Sequence, residues 1–505
     1  MQIPVVDIFA GPGGLGEGFS AFMPRRGTNR PPFKIAISAE MEANAAKTLR
    51  LRAFFRQFPA GQAPDSYYEY VAGRRSTPYT DESEKQWIAA EEEARQLTLG
   101  NSSDDAELRE RIKRIAKGGN EWVLIGGPPC QAYSLVGRAR NRGIKGYSPE
   151  NDHRYFLYQK YLKIIDEFRP TAFVMENVKG LLSAKLGGNL VFPEIIESLE
   201  QPGGRNGPRY RIIPLAVPKA EAEATNPDPH SYILRAETLG VPQARHRVVL
   251  LGLSESLDGR QGKLLVPDEL RFSVSDVIGR LPPLRSGTTD MRADNWHNIA
   301  AELLGSTAKA ATAYPEVVEI LKSAKATINQ GDPGQGGRWM KKTAKSDTVP
   351  EHLEAWLIDR RLNGILNHEV RDHMREDLMR YAYASAFASA YGHSPRGAGE
   401  FPLPLHPNHR NWKSGKFVDR FKVQLRGHPS STITSHLAKD GHYFIHPDPK
   451  QLRSLSVREA ARLQTFPDNY FFEGSRGAQF RQVGNAVPPW MARQIAGTVY
   501  TFLGS

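Results

Sequence analysis

A doubly wound α/β fold around a parallel sheet is what this sequence of 505 residues predicts. Three observations carry the prediction. Short β-rich runs alternate with helical patterns through the first half. Several of those runs are apolar without interruption, as strands covered on both faces are, and a glycine-rich turn follows the first of them. In chain order the strands fall at 3–9, 33–39, 122–125, 172–175 and 248–251. A helix is expected over 155–168, where Leu157, Tyr161, Ile164, Ile165 and Phe168 share one side. The stretch 81–117, with ten acidic and seven basic residues, is expected to form charged surface helices whose role is solvation. From about Ser256 the alternation fades into proline-rich segments and short helices. Regular structure resumes at Ser456-Val-Arg-Glu459, a capping box ahead of a helix that ends before Pro467.

A composition of 40% hydrophobic and 24% charged residues is that of an ordinary globular protein. The longest apolar runs are strand-sized, far below the ~18 residues of a membrane helix. The opening MQIPVVDIFAGPGG has no basic start and breaks into glycines, unlike a secretory signal. A membrane or exported protein is therefore not expected. The 67 Lys and Arg outnumber the 55 Asp and Glu, giving a net charge of +12 that suits a polyanionic partner, because neutralised phosphates release condensed counterions. Residues 406–428 hold six Lys and Arg against one acid, Asp419, interleaved with Trp412, Phe417 and Phe421. That pattern fits a nucleic-acid surface or a solvated edge. A single cysteine forbids an internal disulfide and a cysteine-built metal site, and it fits a reducing compartment. His442 and His446 have helical ligand spacing, but Pro447 and an expected strand at 443–445 spoil it. They read as satisfied surface histidines, and no metal is expected.

The chemistry-bearing residues gather at expected strand ends. Gly11-Pro-Gly13-Gly14-Leu-Gly16 lets a backbone approach a nucleotide-like ligand, and Glu40 closes the next strand where a carboxylate can hold a ribose hydroxyl pair. Alone, this loop fits a dinucleotide as well as an adenosyl ligand. Cys130 leaves the carboxyl end of a strand in Gly126-Gly-Pro-Pro-Cys130, the edge at which open α/β sheets bind ligands. Two prolines stiffen that turn, which favours a presented nucleophile over a small packed hydrophobe. Arg138, Arg140, Arg142 and Lys145 follow in a basic loop able to close over DNA and lower the thiol pKa. Glu176 ends another strand on the same edge, where a carboxyl can act as proton partner beside the cysteine. Alternation is expected to put Gln243, Arg245 and Arg247 on one face, able to orient a carboxylate or hold phosphate. The proline-stiffened turn 482–489 could also sit at the ligand.

Together, DIFAGPGG, GGPPCQAYS, ENV, QARHR, REAARLQTFPD and QVGNAVPP resemble, in type and in chain order, the motif blocks of bacterial DNA (cytosine-5)-methyltransferases, spanning residues 7–489. The resemblance implies a doubly wound, Rossmann-like S-adenosylmethionine-dependent methyltransferase domain with a smaller target-recognition domain inserted. The catalytic domain would cover 1–255 with a charged insertion at 50–118, the recognition domain 256–449, and 450–505 would return to complete the catalytic domain. It further implies S-adenosyl-L-methionine as cofactor, double-stranded DNA as partner and action as a monomer. The expected location is cytoplasmic, with nucleoid association on DNA, and a cognate restriction endonuclease is a candidate companion. Carried over by position, Cys130 is the nucleophile, Glu176 contacts the target cytosine, Asn177 orders the Pro-Pro-Cys segment, and Arg245 and Arg247 support the base. Phe9, Ala10, Gly11, Gly13, Gly14 and Leu15 would line the cofactor, with Glu40 on the ribose and Met41 beside it; Pro129, Asn485 and Val487 would complete the pocket. The acid that meets the adenine amino group has no clean counterpart, leaving Asn101 and Asp104 as candidates.

The residue types suit the chemistry. Cytosine carbon 5 is a poor nucleophile until a thiolate adds to carbon 6, and a carboxyl at ring nitrogen 3 stabilises the charge that attack creates. A nicotinamide-dependent oxidoreductase would leave Cys130, Glu176 and the basic C-terminal region unexplained. A tRNA cytosine methyltransferase is disfavoured by the long recognition region, and a non-catalytic DNA reader by the intact catalytic positions.

Overall fold

The computed structural model describes residues 2–24, 30–117, 119–129, 153–186, 188–224, 226–287, 296–328, 331–408, 412 and 419–504. Its centre is an eight-stranded sheet made of β1 (Ile3–Ile8), β2 (Phe33–Glu40), β3 (Ala94–Gln96), β4 (Val123–Gly126), β5 (Ala172–Val178), β6 (Tyr210–Ile213), β7 (Ile233–Arg235) and β8 (His246–Ser254). The spatial order is β3-β2-β1-β4-β5-β8-β6, with β7 also paired to β8. Strands β1 to β5 run parallel. The chain order reverses between β1 and β4, which makes the carboxyl ends of these two strands the switch point at which such sheets form a crevice.

Uninterrupted apolar runs make the central strands β4 and the first part of β5, because both faces are covered there. In β4, Val123 and Ile125 face one cluster while Leu124 faces the other, and β5 splits Phe173 and Met175 from Val174 in the same way. The helices of the first half are α1 (Gly14–Ser20), α2 (Ala43–Arg56), α3 (Asp65–Val71), α4 (Glu84–Glu93), α5 (Ser102–Ala116) and α6 (His153–Phe168). Those of the central region are α7 (Trp296–Ala310), α8 (Pro315–Ala326) and α9 (Arg375–Tyr391), and the closing segment forms α10 (Val457–Leu463), α11 (Arg476–Asn485) and α12 (Pro489–Leu503). Leu108 and Ile112 of α5 and Leu157, Tyr161 and Ile165 of α6 cover one face of the sheet. Leu15 and Phe19 of α1, with Met491, Ile495 and Val499 of α12, cover the other. The capping box forms as expected: Ser456 Oγ accepts from Glu459 N at 3.1 Å, and Glu459 Oε2 accepts from Ser456 N at 2.7 Å.

Strand β8, expected to be parallel, runs antiparallel to β5, with Arg247 opposite Val178. The cause is topological: β6 and β7 run antiparallel to β8 and so parallel to β5, and the connection 236–245 re-enters the sheet at the end where β7 leaves it, so β8 must run back. The 81–117 stretch is not only solvated surface. It contributes the edge strand β3 to the sheet, buries Ala90, Leu108 and Ile112, and buries Glu93 against Arg56. Its charge pattern hid a strand because the buried carboxylate has its cation on another helix. The expected strand at 443–445 is reduced to bridges from Ile445 to Val423 and Ser454. His442 and His446 are not on the surface but 6% exposed each, the first bonded to Tyr381 Oη at 2.7 Å and the second accepting from Asp448 N at 3.1 Å. Trp412 and Phe421 of the basic stretch are buried with Tyr381 and Phe401 in the core around α7, α8 and α9. Their interleaving with cations suggests a base-stacking surface, but large aromatics near cations also serve as core. Phe417 lies outside the described residues, whereas Arg420, Lys422 and Arg426 remain partly or fully exposed. Among the described residues no helix is long and apolar enough to cross a membrane, and no metal-holding cluster occurs.

Candidate active site

The glycine loop between β1 and α1 lies at the switch point. Phe9 enters it with φ 55, and Gly11 and Gly13 follow at φ 57 and 90, so the turn uses left-handed backbone at three positions. At Phe9 this conformation carries backbone strain, a feature concentrated at ligand sites. Glu40, at the end of β2, clasps the loop: its Oε2 accepts from Gly11 N at 2.8 Å and its Oε1 from Glu42 N at 2.8 Å. Burial raises the Glu40 carboxyl above its ordinary range, partly offset by these amides. Met41 follows with 58% of its surface exposed, a large apolar side chain left open beside the loop. Ala10 and Gly11 are half-buried, whereas Leu15 is buried against the sheet.

The far end of the chain closes on this loop. A Cβ on Gly14 would lie well inside van der Waals contact of the Val487 carbonyl oxygen, with Val487 C at 3.1 Å and N at 3.2 Å, so only glycine permits the approach. Tyr470 Oη donates to the Pro12 carbonyl. Asn485, the last residue of α11, is exposed. Asn101 and Asp104 follow β3 on the same edge, but both serve backbone: Asn101 Oδ1 accepts from Ser103 N at 3.0 Å, and Asp104 Oδ2 from Thr98 N at 2.8 Å.

A second group forms beside it, at the ends of β4, β5 and β8. Glu176 Oε1 pairs with Arg247 Nε at 2.8 Å, with side chains only 14% and 12% exposed. A Cβ on Gly127 would come within 3.0 Å of Glu176 Oε2, so the carboxylate packs on the turn that leads to residue 130. Asn177 Nδ2 donates to Pro128 O at 3.1 Å, and its Oδ1 accepts from Val178 N at 2.8 Å. Pro129 is half-buried at the end of this turn. Cys130 and the basic loop with Arg138, Arg140, Arg142 and Lys145 lie outside the described residues.

Gln243, Arg245 and Arg247 do not share a face. The short strand Gln243–Ala244 pairs with Ser430–Ser431, and β8 begins only at His246. Arg245 is 1% exposed and donates through Nη1 to Ile433 O at 2.6 Å, while Nη1 and Nη2 also reach Gly484 O. Burial, reinforced by neighbouring Arg247, drives its pKa well below the usual value. Gln243 Oε1 accepts from Ile433 N at 2.7 Å. Of the three, only Arg247 reaches Glu176, because the break at Arg245 turns the chain.

A model of C-5 cytosine-specific DNA methylases matches residues 104–501. The chain belongs to that family. The methylase is 32% identical to Type II methyltransferase M.Bpa9945I of Bacillus paralicheniformis, with 98% of each chain covered. It is 25% identical to Type II methyltransferase M.AgeI of Thalassovita gelatinovora, again over 98% of each chain. Its fold is similar to a crystal structure described as a prophage-encoded DNA modification methyltransferase of E. coli, with a TM-score of 0.56 and 19% identity over the full length of both chains. The α/β sheet with helices on both faces is thus the methyltransferase fold.

Sequence reasoning on the methylase missed several residues. Tyr470 reaches the glycine loop from two residues beyond the REAARLQTFPD block, at a position that no motif marks. Asp7 lies wholly buried under the turn at Gly16, and burial pushes its carboxyl up to about 8, against partial relief from Arg56. An acid among Val5, Val6 and Ile8, in an otherwise apolar strand, was the available signal. Glu17 and Arg52 form a buried pair, with Nε to Oε2 at 2.8 Å. Against the burial that would raise it, Arg52 holds Glu17 below its ordinary pKa.

Proposed function

We propose that this methylase transfers a methyl group from S-adenosyl-L-methionine to carbon 5 of a cytosine flipped out of duplex DNA, with Cys130 as the nucleophile. The observation that carries the reading is the Arg247–Glu176 pair, packed on Gly127 at the sheet edge immediately before Cys130 in the chain. Cofactor identity is supported by the fit of the donor set: a glycine loop, a carboxylate at Glu40 for a ribose diol, and exposed Met41 for an apolar ring face. Phe9, Ala10, Gly11, Gly13, Gly14 and Leu15 would hold one side and Pro129, Asn485 and Val487 the other. When bound, S-adenosylmethionine supplies a methyl group made electrophilic by its sulfonium.

The chain's own residues do the rest. The Cys130 thiolate adds to carbon 6, forming a sulfur–carbon bond and sending ring electrons toward carbon 5 and nitrogen 3. Glu176, held by Arg247, hydrogen-bonds or protonates nitrogen 3 and so stabilises that charge. Asn177 holds the Pro128 carbonyl, which fixes the turn ahead of the nucleophile. Methylation of carbon 5 would release S-adenosylhomocysteine; the carbon-5 proton then passes to water, its electron pair re-forms the 5,6 double bond, and the sulfur–carbon bond breaks to regenerate the thiolate. The reaction needs the base out of the stack, at a cost of a few kcal/mol. Residues 256–449 would form the target-recognition domain, the net charge of +12 would hold the phosphates, and the protein would act in the cytoplasm as a monomer. The names of the relatives support a restriction endonuclease as companion.

Expression in a bacterial host lacking cytosine methylation, followed by genome-wide bisulfite sequencing, tests the reading. 5-Methylcytosine at one short recurring word is expected. An unmethylated genome, with soluble protein present, would overturn it. Cys130→Ser should abolish the signal while leaving cofactor binding nearly intact; methylation at the normal rate would remove covalent catalysis.

A further inference from the structure

The insertion after α2 does more than decorate the surface. Its helix α3 grips the central region: Tyr68 Oη donates to Asp359 Oδ2 at 2.8 Å, and Arg361 reaches back to Asp65 Oδ1 at 2.6 Å and Gly61 O at 3.0 Å. Asp359 precedes the hairpin strand Gly364–Glu369, whose partner is Gly336–Lys341. Asn469, in the closing segment, stands between this contact and the glycine loop. Its Nδ2 donates to Asp359 Oδ2 at 2.8 Å, and its Oδ1 accepts from Arg52 Nη1 at 2.9 Å. Arg52 in turn grips Glu17 on α1, the helix that opens at Gly14. The three inner members are 9%, 6% and 2% exposed, for Asn469, Arg52 and Glu17. Buried and hydrogen-bonded at both ends, they cannot shift separately without leaving a polar group unsatisfied.

We propose that Asn469 is a positioning residue that transmits the placement of the central region to the glycine loop, through Asp359 on one side and Arg52–Glu17 on the other. Resting on the reading above, in which the central region takes DNA and the loop takes the cofactor, this relay makes each ligand tighten the other. The amide is suited to the task because it alone among side chains of its size offers a donor to the Asp359 carboxylate and an acceptor to the guanidinium. Asn469→Asp keeps the volume and the Arg52 contact but loses the donor and sets a second carboxylate against Asp359. Adding Asp359→Asn reverses the polarity and restores the bond, with an amide at position 359 donating one hydrogen to a carboxylate at position 469 and the other to the Tyr68 hydroxyl, which turns from donor to acceptor.

The test titrates S-adenosylhomocysteine by calorimetry, with and without a short duplex holding the word found by methylation mapping. The parent protein should bind it at least about 5-fold tighter with the duplex present, the lower end of ordinary coupling. N469D should bind S-adenosylhomocysteine alone within about 2-fold of the parent and lose the gain, and N469D/D359N should recover it. Should N469D misfold, Tyr68→Phe, which removes only the outer hydroxyl, should lower the gain in the same direction. Parent-like coupling in N469D, or in Y68F where N469D misfolds, would overturn the relay, as would no recovery in the double variant. A parent protein that binds both ligands without coupling would overturn the relay alone. One that fails to bind S-adenosylhomocysteine at all would overturn the cofactor assignment beneath it.

Discussion

Gly14→Ala tests how tightly the two ends of the chain close the candidate cofactor pocket. The new Cβ would enter the space of the Val487 carbonyl oxygen and lie 3.1 Å from its carbon and 3.2 Å from its nitrogen. These are backbone atoms between Pro488 and the end of α11, so no side-chain rotation relieves the overlap. Overpacking of this kind costs about 1–3 kcal/mol. At roughly 2–4 °C per kcal/mol for domains of 150–250 residues, the melting temperature should fall by roughly 2–12 °C. If instead the 487 turn backs away, the same strain is converted into lost affinity, because that turn would no longer line the pocket. At about 1.4 kcal/mol per tenfold change, 1–3 kcal/mol corresponds to roughly 5- to 150-fold weaker binding. Differential scanning fluorimetry and calorimetric titration of S-adenosylhomocysteine read the two outcomes separately. A variant that melts and binds like the parent would refute the reasoning, since the two segments would then be free to separate without consequence.

Other perturbations probe the remaining links. Glu176→Gln should lower turnover by about 10²–10⁴-fold with S-adenosylhomocysteine affinity nearly unchanged, measured by single-turnover methyl transfer and calorimetry. Glu459→Gln breaks a pair with Arg453 in which both side chains are at most 1% exposed; about 3–5 kcal/mol of stability should be lost in denaturant titration. Burial raises Asp7 from 3.8 to about 8 in the folded protein, so the folded state binds the proton more tightly than the unfolded chain does. Its contribution to stability is full below about pH 4 and declines as pH rises toward about 8. Asp7→Asn should therefore flatten the fall of melting temperature over that range. Replacing Arg420, Lys422 and Arg426 by Ala should weaken DNA binding and reduce the slope of log K against log salt, read by fluorescence anisotropy. An unchanged slope would return that stretch to a solvated edge.

What could be read ahead of the structure followed from how local each constraint is. The strands near 3–9, 122–125 and 172–175 were legible because a strand buried on both faces must be apolar at nearly every position, Asp7 being the exception in the first, and no distant partner alters that demand. The capping box at Ser456 was legible for the same reason, its two hydrogen bonds closing within one turn. Direction was not legible in β8, because whether 248–251 runs parallel or antiparallel depends on which end of the sheet the connection re-enters. The same limit concealed β3: three residues, Ala94–Gln96, form a strand only because β2 offers an edge, and Glu93 beside them is buried only because Arg56 comes from another helix. In the candidate site, glycines, prolines and carboxylates announced themselves as types in a spacing. Arg245 and Arg247 look equivalent in that spacing, yet one is bonded to main-chain oxygens at Ile433 and Gly484 and the other to Glu176. That division is set by a contact 188 residues away in the chain, beyond any periodicity. Asn469 is the extreme case: nothing local marks it, and its importance arises only where three distant segments meet.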